Sequence, residues 1–297
     1  MNHAPDFIIK GVLTKYQGTD SEVVIPEGVT CIGEKAFEGC KTLRHIILPD
    51  SVTSIGAFAF SACSNLMRIT IPDGVTTIGD FAFSDCTNLI RITIPNSVTT
   101  LGEHAFADCL RLTHVTLPDS ITEIQKATFD FCENLSHITI PNSVTTIGEE
   151  AFWGCSSLTR ITIPNSVTHI GRHAFADCPG LTDLTIPDSV THIGEGAFFL
   201  CEGLTKVTLP NSVTSIRNFV FTSCSSLTNL TIPDSVTTIR KQAFADCPNL
   251  TRITLPGTVN CIDQDAFEGS PSVTIYAPAG SYAAGYAEEH NLSFFAD

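Results

Sequence analysis

Residues 141–163 read PNSVTTIGEEAFWGCSSLTRITI, and this repeat of 23 residues recurs along the chain without insertion or deletion. A fixed period of this length predicts a solenoid, in which each repeat makes one turn and the stacked turns bury a continuous core. The proline that opens each repeat marks the period: Pro26, Pro49, Pro72, Pro95, Pro118, Pro141, Pro164, Pro187, Pro210, Pro233 and Pro256. A phenylalanine follows eleven positions after each of these prolines.

Alternation of apolar and polar residues predicts a strand before each proline. Ile161 and Ile163 point to one face of this strand, while Arg160 and Thr162 point to the other. Proline ends the strand because it cannot donate to a sheet ladder, and the Asp or Asn that follows it suits a turn. The pattern V-T-x-I predicts a short second strand, and G-x-x-A-F-x-x-C predicts a tight return with a small Ala between closely packed turns.

The two ends of the chain depart from the repeat, as the caps of a solenoid do. Residues 7–25 predict a hairpin with its turn at residues 17–20. Near the other end, Ser281 is a candidate N-cap for a helix over residues 282–289, with a strand near residues 293–295. We expect a β-hairpin cap over residues 1–25, a solenoid over residues 26–270 and a cap over residues 271–297, which together would make a complete protein without an effector domain.

The motif C-x-x-L-x-x-I-x-I-P-x-S-V-T-x-I-G-x-x-A-F resembles the BspA-like class of leucine-rich repeat proteins, over roughly residues 23–276. This resemblance implies a right-handed superhelix with a parallel concave β-sheet, short second strands and loops on the outer side, and caps at both ends. It also implies binding roles, commonly adhesion to proteins or cell surfaces in bacteria and some protozoa, and no catalytic residues.

The composition argues against several classes of function. The net charge is −15, and phosphate binding needs a basic footprint, so we expect no nucleic-acid partner. No run of apolar residues is long enough to predict a membrane span. The first twenty residues lack the charged and apolar regions of a secretory signal, which predicts a cytoplasmic location by default, whereas the family resemblance implies a cell-surface or secreted one.

Ten of the twelve cysteines occupy one position of the repeat: Cys40, Cys63, Cys86, Cys109, Cys132, Cys155, Cys178, Cys201, Cys224 and Cys247. Their spacing is not that of a zinc site, and C-x-x-C does not occur. The pattern predicts a ladder of buried free thiols that behave as small hydrophobic side chains. Parallel side chains disfavour the dihedral angle of a disulfide, so the ladder also suits a reducing compartment.

Two pairs of histidines share positions of the repeat, His114 with His137 and His169 with His192. Stacked imidazoles could share a metal ion, but no Asp, Glu or Cys recurs beside them at ligand spacing, which favours a solvated polar ladder. The chain also lacks G-x-S-x-G, H-E-x-x-H and the phosphate-binding loop. We therefore expect no metal, no cofactor and no enzymatic activity.

The residue four positions before each proline supplies the candidate binding surface. Basic side chains at intervals of roughly 4.8 Å repel one another, which favours an acidic protein segment or an anionic glycan as ligand. Histidines in the row would make the affinity pH-dependent between about pH 5.5 and 8. The candidate residues are His45, Arg68, Arg91, His114, His137, Arg160, Lys206 and Arg252, with threonines on the same face at Thr93, Thr116, Thr139 and Thr162. Two alternatives stay open: neutralisation by the Asp residues after the prolines, and copying of an ancestral Arg by duplication.

Aromatic residues in the return segment suggest a second function. Phe58, Phe81 and Phe219 share one position of the repeat, and Trp153 and Phe199 follow the recurrent Phe. Such residues could form an apolar contact patch, although they commonly fold over the edge of the core. The alternative function is an intracellular scaffold that recognises a partner through these outer loops. Salt distinguishes the two, because ionic docking weakens with ionic strength and apolar contact does not.

Overall fold

The computed structural model describes residues 8–297, and the chain forms two compact units, Met1–Val144 (unit 1) and Thr145–Asp297 (unit 2). Each unit is a parallel-sheet solenoid, which confirms the predicted fold class. In most turns a strand of two or three residues precedes the proline, and a second strand of two residues follows it. We call these the long and the short strands.

The described part of unit 1, residues 8–144, contains thirteen strands, and within it only the first pair is antiparallel. The short strands β2, β4, β6, β8 and β10 join this pair in one sheet, and long strands form the sheets β3-β5-β7 and β9-β11-β13. The strands are β1 Ile8–Ile9, β2 Val12–Leu13, β3 Glu22–Val24, β4 Cys31–Ile32, β5 His45–Ile47, β6 Ser54–Ile55, β7 Arg68–Ile69, β8 Thr77–Ile78, β9 Arg91–Thr93, β10 Thr100–Leu101, β11 His114–Thr116, β12 Glu123–Ile124 and β13 His137–Ile138.

Unit 2 repeats this arrangement and adds a helix near its C-terminal end. Long strands pair as β16-β18 and β20-β22-β24-β25, and short strands as β14-β15-β17 and β19-β21-β23. The elements are β14 Thr146–Ile147, β15 His169–Ile170, β16 Asp183–Thr185, β17 His192–Ile193, β18 Lys206–Thr208, β19 Ser215–Ile216, β20 Asn229–Thr231, β21 Thr238–Ile239, β22 Arg252–Thr254, β23 Cys261–Ile262, β24 Thr274–Ala277, α1 Tyr282–Glu289 and β25 Ser293–Ala296.

The parallel strands of neighbouring repeats pair with an offset of one whole repeat, so equivalent residues lie side by side. Ile92 of β9, for example, pairs with Val115 of β11, and both are buried. The residues on either side of them in each strand are exposed. Equivalent side chains therefore stack in rows, apolar rows inside and polar rows outside, as the alternation in the sequence predicts.

A stack of phenylalanine rings forms the centre of each core. In unit 1 the stack runs from Phe37 to Phe129 with ring centroids 5.1–5.7 Å apart, and Tyr16 stacks on Phe37 at 5.0 Å. In unit 2 it runs from Phe152 to Phe267 at 5.3–5.7 Å, and Tyr286 of α1 contacts the last ring. Residues of the capping segments thus continue both stacks in place of a further repeat.

The return segments also bond from turn to turn, although they contain no strand. The backbone N–H groups of Phe58, Phe60 and Ala62 donate to carbonyls of the next turn, each at 2.8 Å. Phe58 and Ala62 adopt left-handed backbone with φ of 55° and 56°, and most turns have such a residue at both equivalent positions. Glycine occupies only a minority of these positions, so the residue pattern did not predict this conformation.

The recurrent cysteines do more than fill space. The thiol of Cys86 donates to the carbonyl oxygen of Phe60 in the preceding turn at 3.2 Å, and equivalent thiols do the same at 3.1–3.4 Å. Ser270 replaces the cysteine in the last repeat and makes this bond to Phe244 at 2.7 Å. The prediction of purely hydrophobic cysteines was therefore incomplete, while none of the twelve cysteines, all within residues 8–297, forms a disulfide.

The structure corrects the predicted N-terminal hairpin. The antiparallel pair β1 and β2 turns at Lys10 and Gly11, because both adopt left-handed backbone there. Val23 does not return to this hairpin but pairs in parallel with Ile46, since its repeat spacing already places it in the long-strand sheet. Residues 1–7 of the expected cap lie outside the described residues. The predicted helix after Ser281 is confirmed, with the Ser281 hydroxyl accepting from the N–H of Ala284.

Candidate functional site

The long strands of unit 1 place five basic residues of the predicted surface in one row. The row comprises His45, Arg68, Arg91, His114 and His137. His45 pairs in register with Arg68, and His114 pairs with both Arg91 and His137. All five are exposed except His45, which is half-buried. We call this set the basic row of unit 1.

An open groove of about 790 Å³ runs between the two arginines of the basic row. Arg68 and Thr70 line one side, and Arg91 and Thr93 line the other. Asp73 also lines the groove, yet within residues 8–297 neither guanidinium has an ion-pair partner. The positive charges of the two arginines are thus not neutralised by a direct contact.

The threonines continue the same exposed face of unit 1. Thr93 pairs in register with Thr116, and both are exposed beside the basic row. Thr139 is exposed in the next turn, and Thr162 is exposed in unit 2. Their hydroxyl groups can donate to or accept from a ligand that already contacts the arginines.

The equivalent row of unit 2 is different in character. Arg160 neighbours Asp183, which in turn pairs with Lys206, so opposite charges alternate along the strands. The guanidinium of Arg252 lies over the ring of Tyr276 at 3.9 Å, where it gains a cation–π contact. The structure therefore does not bring Arg160, Lys206 and Arg252 together as an uninterrupted basic surface.

The paired histidines lie as the repeat predicts. His114 neighbours His137 in the basic row, and His169 stacks on His192 with ring centroids 5.6 Å apart. Burial, followed by the charge of Arg217, lowers the pKa of His192. Among residues 8–297, no three His, Cys, Asp or Glu side chains converge as a metal site would require.

The aromatic residues of the return segments stack on one another more than they project. Phe58 and Phe81 lie 4.7 Å apart, and His104 extends this stack at 4.5 Å from Phe81. The ammonium group of Lys35 covers the other end at 5.3 Å from the ring centroid of Phe58. Sequence reasoning missed His104 and Lys35, although both share the repeat position of Phe58 and Phe81, which was the available signal.

The strands and their repeat define a leucine-rich repeat solenoid. The model of the BspA type leucine rich repeat region, built from six copies, matches residues 15–135, 55–182, 122–250 and 168–285. The chain therefore belongs to the BspA-type leucine-rich repeat family, whose members are generally protein-binding or surface-adhesion modules without enzymatic activity.

Solved bacterial structures are similar over most of the chain. A leucine rich cell surface protein from Faecalibacterium prausnitzii is 31% identical, with 93% of this chain and 92% of that one covered and a TM-score of 0.55. A leucine-rich repeat protein from Bacteroides ovatus is 29% identical, with the same shares covered and a TM-score of 0.56. No curated protein matches the sequence significantly. The described residues include no helix with the length and hydrophobicity of a membrane span.

Proposed function

We propose that this protein is a non-enzymatic adhesion module whose basic row of unit 1 binds an acidic protein segment or an anionic glycan. The observation that carries the proposal is the groove between Arg68 and Arg91, where two exposed guanidinium groups without an ion-pair partner face one space in a chain of net charge −15. A carboxylate or sulfate group could bridge them through paired hydrogen bonds.

The surroundings of the groove support an ionic ligand rather than internal neutralisation. Like charges on neighbouring strands repel, and Asp73 offsets only part of this repulsion because it forms no ion pair with either arginine. Thr70 and Thr93 add hydroxyl groups at the edge of the groove. A ligand with several anionic groups would gain from contacts along successive strands.

The proposal includes a second, weaker contact surface in unit 2 at Arg160, Lys206 and Arg252. Its arginine and lysine side chains already have an acidic neighbour or an aromatic contact, so they have less to gain from a ligand. A cell-surface setting fits the proposal better than the cytoplasmic one expected from the first residues, because the similar chain from Faecalibacterium prausnitzii is a cell surface protein.

Charge reversal tests the proposal. We expect Arg68→Glu/Arg91→Glu to weaken binding of heparin or of a poly-glutamate peptide by roughly tenfold or more, since two charged contacts become repulsive. The control is Lys41→Glu/Arg111→Glu, which changes the charge of unit 1 equally at exposed residues outside the basic row. Calorimetric titration at two salt concentrations measures both effects, and wild-type binding should weaken as salt rises.

Three results would contradict this function. The first is no saturable binding of either probe, and the second is equal weakening in the row variant and in the control. The third is binding to the wild type that does not change with salt, because an apolar contact would behave in that way. Circular dichroism of each variant shows whether the solenoid remains folded.

A further inference from the structure

One position of the return segment forms a row in each unit, which we call the return row. In unit 1 the return row is Lys35, Phe58, Phe81, His104 and Ala127, and in unit 2 it is Glu150, His173, Gly196, Phe219 and Gln242. All ten residues adopt left-handed backbone, with φ between 49° and 61°. The side chains of a return row therefore leave the backbone in the same way at every turn.

In unit 1 the return row shows how rings fill the space between turns. Phe58, Phe81 and His104 stack with ring centroids 4.7 and 4.5 Å apart and interplanar angles of 3° and 4°. Each turn thus supplies one flat ring, and Phe81 lies between two others. These distances lie within the range that aromatic pairs prefer.

In unit 2 the return row has a ring missing. Gly196 lies between His173 and Phe219, whose backbones are two turns or roughly 9.6 Å apart. A cavity of about 480 Å³ occupies this region, and the rings of His173, Phe199 and Phe219 line it. The cavity is thus a slot lined by aromatic side chains of the return segments.

The imidazole of His173 forms one wall of the slot and leans over Gly196. A Cβ added at Gly196 would lie 2.4 Å from Cε1 of His173, so the imidazole itself occupies the space that a side chain at Gly196 would take. The ring of Trp153 stacks on His173 at 5.4 Å, and Phe199 meets it edge-on at 6.2 Å. Burial, followed by the charge of Arg172, lowers the pKa of His173 and favours a neutral ring.

Polar groups surround the opening of the slot. Glu195, Gln242 and Asp246 line it, and Asp246 is exposed. The side-chain amide of Asn218 donates a hydrogen bond to Glu195 at 3.0 Å. Only one of the two carboxylate oxygens of Glu195 accepts this bond. Carboxylates at this edge can accept a hydrogen bond from an O–H or N–H group carried by a ring inside the slot.

We propose that the slot lined by His173, Phe199 and Phe219 binds a planar aromatic ring that carries a hydrogen-bond donor, such as a phenol or an indole. The ring packs against the side chains of His173 and Phe219, as Phe81 packs between its two neighbours in unit 1. The site lies on the return segments and not on the long strands, so it is independent of the basic row. An experiment can therefore reject one of the two proposed sites without rejecting the other.

Trp153 allows a direct test, because it is the only tryptophan of the chain and stacks on His173. p-Cresol is the probe, and binding is followed by Trp153 fluorescence and by calorimetry. Phe219→Leu removes an aromatic wall with little change of volume, and we expect it to weaken p-cresol binding roughly tenfold. Phe81→Leu makes the same change in unit 1 and should leave the affinity unchanged.

Gly196→Phe must displace the imidazole of His173, which is one wall of the slot, and should abolish p-cresol binding. The left-handed backbone does not forbid this change, since Phe81 has φ of 55° at the equivalent position. The proposal is overturned if the wild type shows no saturable binding, if 4-methylcyclohexanol binds as well as p-cresol, or if Phe219→Leu binds as tightly as the wild type. Thermal unfolding shows which variants are folded.

Two probes identify the source of the ring. A Gly-Gly-Tyr-Gly-Gly peptide that binds at least as tightly as p-cresol assigns the slot to an aromatic side chain of a protein partner. Binding of p-cresol with exclusion of the peptide assigns it to a free aromatic compound. Both results support a site for an aromatic ring.

Discussion

The ionisation of His192 depends on residues in the neighbouring turns. Its ring stacks on His169, and Arg217 donates to its Nδ1 at 3.4 Å, a contact that only the neutral imidazole can accept. Burial, Arg217 and then His169 lower the pKa of His192. The folded chain therefore keeps this histidine neutral at a pH at which the unfolded chain already takes up a proton.

This difference predicts that acid destabilises unit 2. As the pH falls below about 6.5, the unfolded state binds more protons at His192 than the folded state does, so the free energy of unfolding decreases. The decrease ends once the pH has passed the lowered pKa of the folded state. Urea unfolding at pH 7 and pH 5 should show a smaller decrease for His192→Gln than for the wild type. The control is His137→Gln, because His137 lies outside the contact with Arg217. Equal decreases in His192→Gln and in the wild type would refute the prediction.

The short strands end where neighbouring turns approach each other closely. A Cβ built on Gly102 would lie 2.4 Å from the backbone nitrogen of Asp80, closer than two such atoms can approach. Six repeats further along the chain, Arg240 occupies the same position with a side chain that is exposed and lies 3.9 Å from Asp263. The close approach of the neighbouring backbone therefore requires glycine at position 102, whereas the equivalent position 240 accommodates an arginine side chain.

We expect Gly102→Ala to lower the free energy of unfolding by roughly 1–3 kcal/mol, because the backbone of the preceding turn must shift. Arg240→Ala places an alanine side chain at the equivalent position and should lower the free energy of unfolding by less than about 0.5 kcal/mol. Urea unfolding of both variants provides the comparison. A similar cost for the two would show that the close approach at Gly102 is readily relieved.

These elements show what the sequence could predict. Rows of apolar residues such as Ile92 and Val115 predicted the strands, because alternation and a constant period leave one way to bury them. The left-handed residues escaped prediction because Phe58 and Ala62 carry no glycine signal. The basic row was found from its spacing, but the cation–π contact of Arg252 involves Tyr276, which lies outside the regular repeat and needed the structure.

None of the twelve cysteines, which all lie in the described part of the chain, forms a disulfide, and nine of them are buried. Burial raises the pKa of Cys63 and of Cys201 to about 12, so the reactive thiolate is scarce at neutral pH for these buried thiols. The remaining three, Cys31, Cys40 and Cys261, are half-buried. The folded protein therefore shields most of its thiols from reagents in solution.

We predict that brief treatment with iodoacetamide modifies at most three thiols of the folded protein, the three that are half-buried. After unfolding in guanidinium chloride, all twelve should react. Mass spectrometry of the intact chain counts the added groups, and peptide mapping locates them. Rapid modification of Cys86 or Cys201 in the folded state would mean that the turns separate far more readily than their packing implies.

The uninterrupted step of 23 residues has a consequence for how such a chain can change in length. Removing residues 73–95, one whole period, joins Pro72 to Asn96 and leaves every later residue in step with the turns before it. A deletion that is one residue shorter would shift every later residue by one position relative to the repeat. Insertion or deletion of complete periods in the coding sequence therefore adds or removes single turns of the solenoid. The number of basic side chains available to a ligand could then be adjusted without redesigning the core.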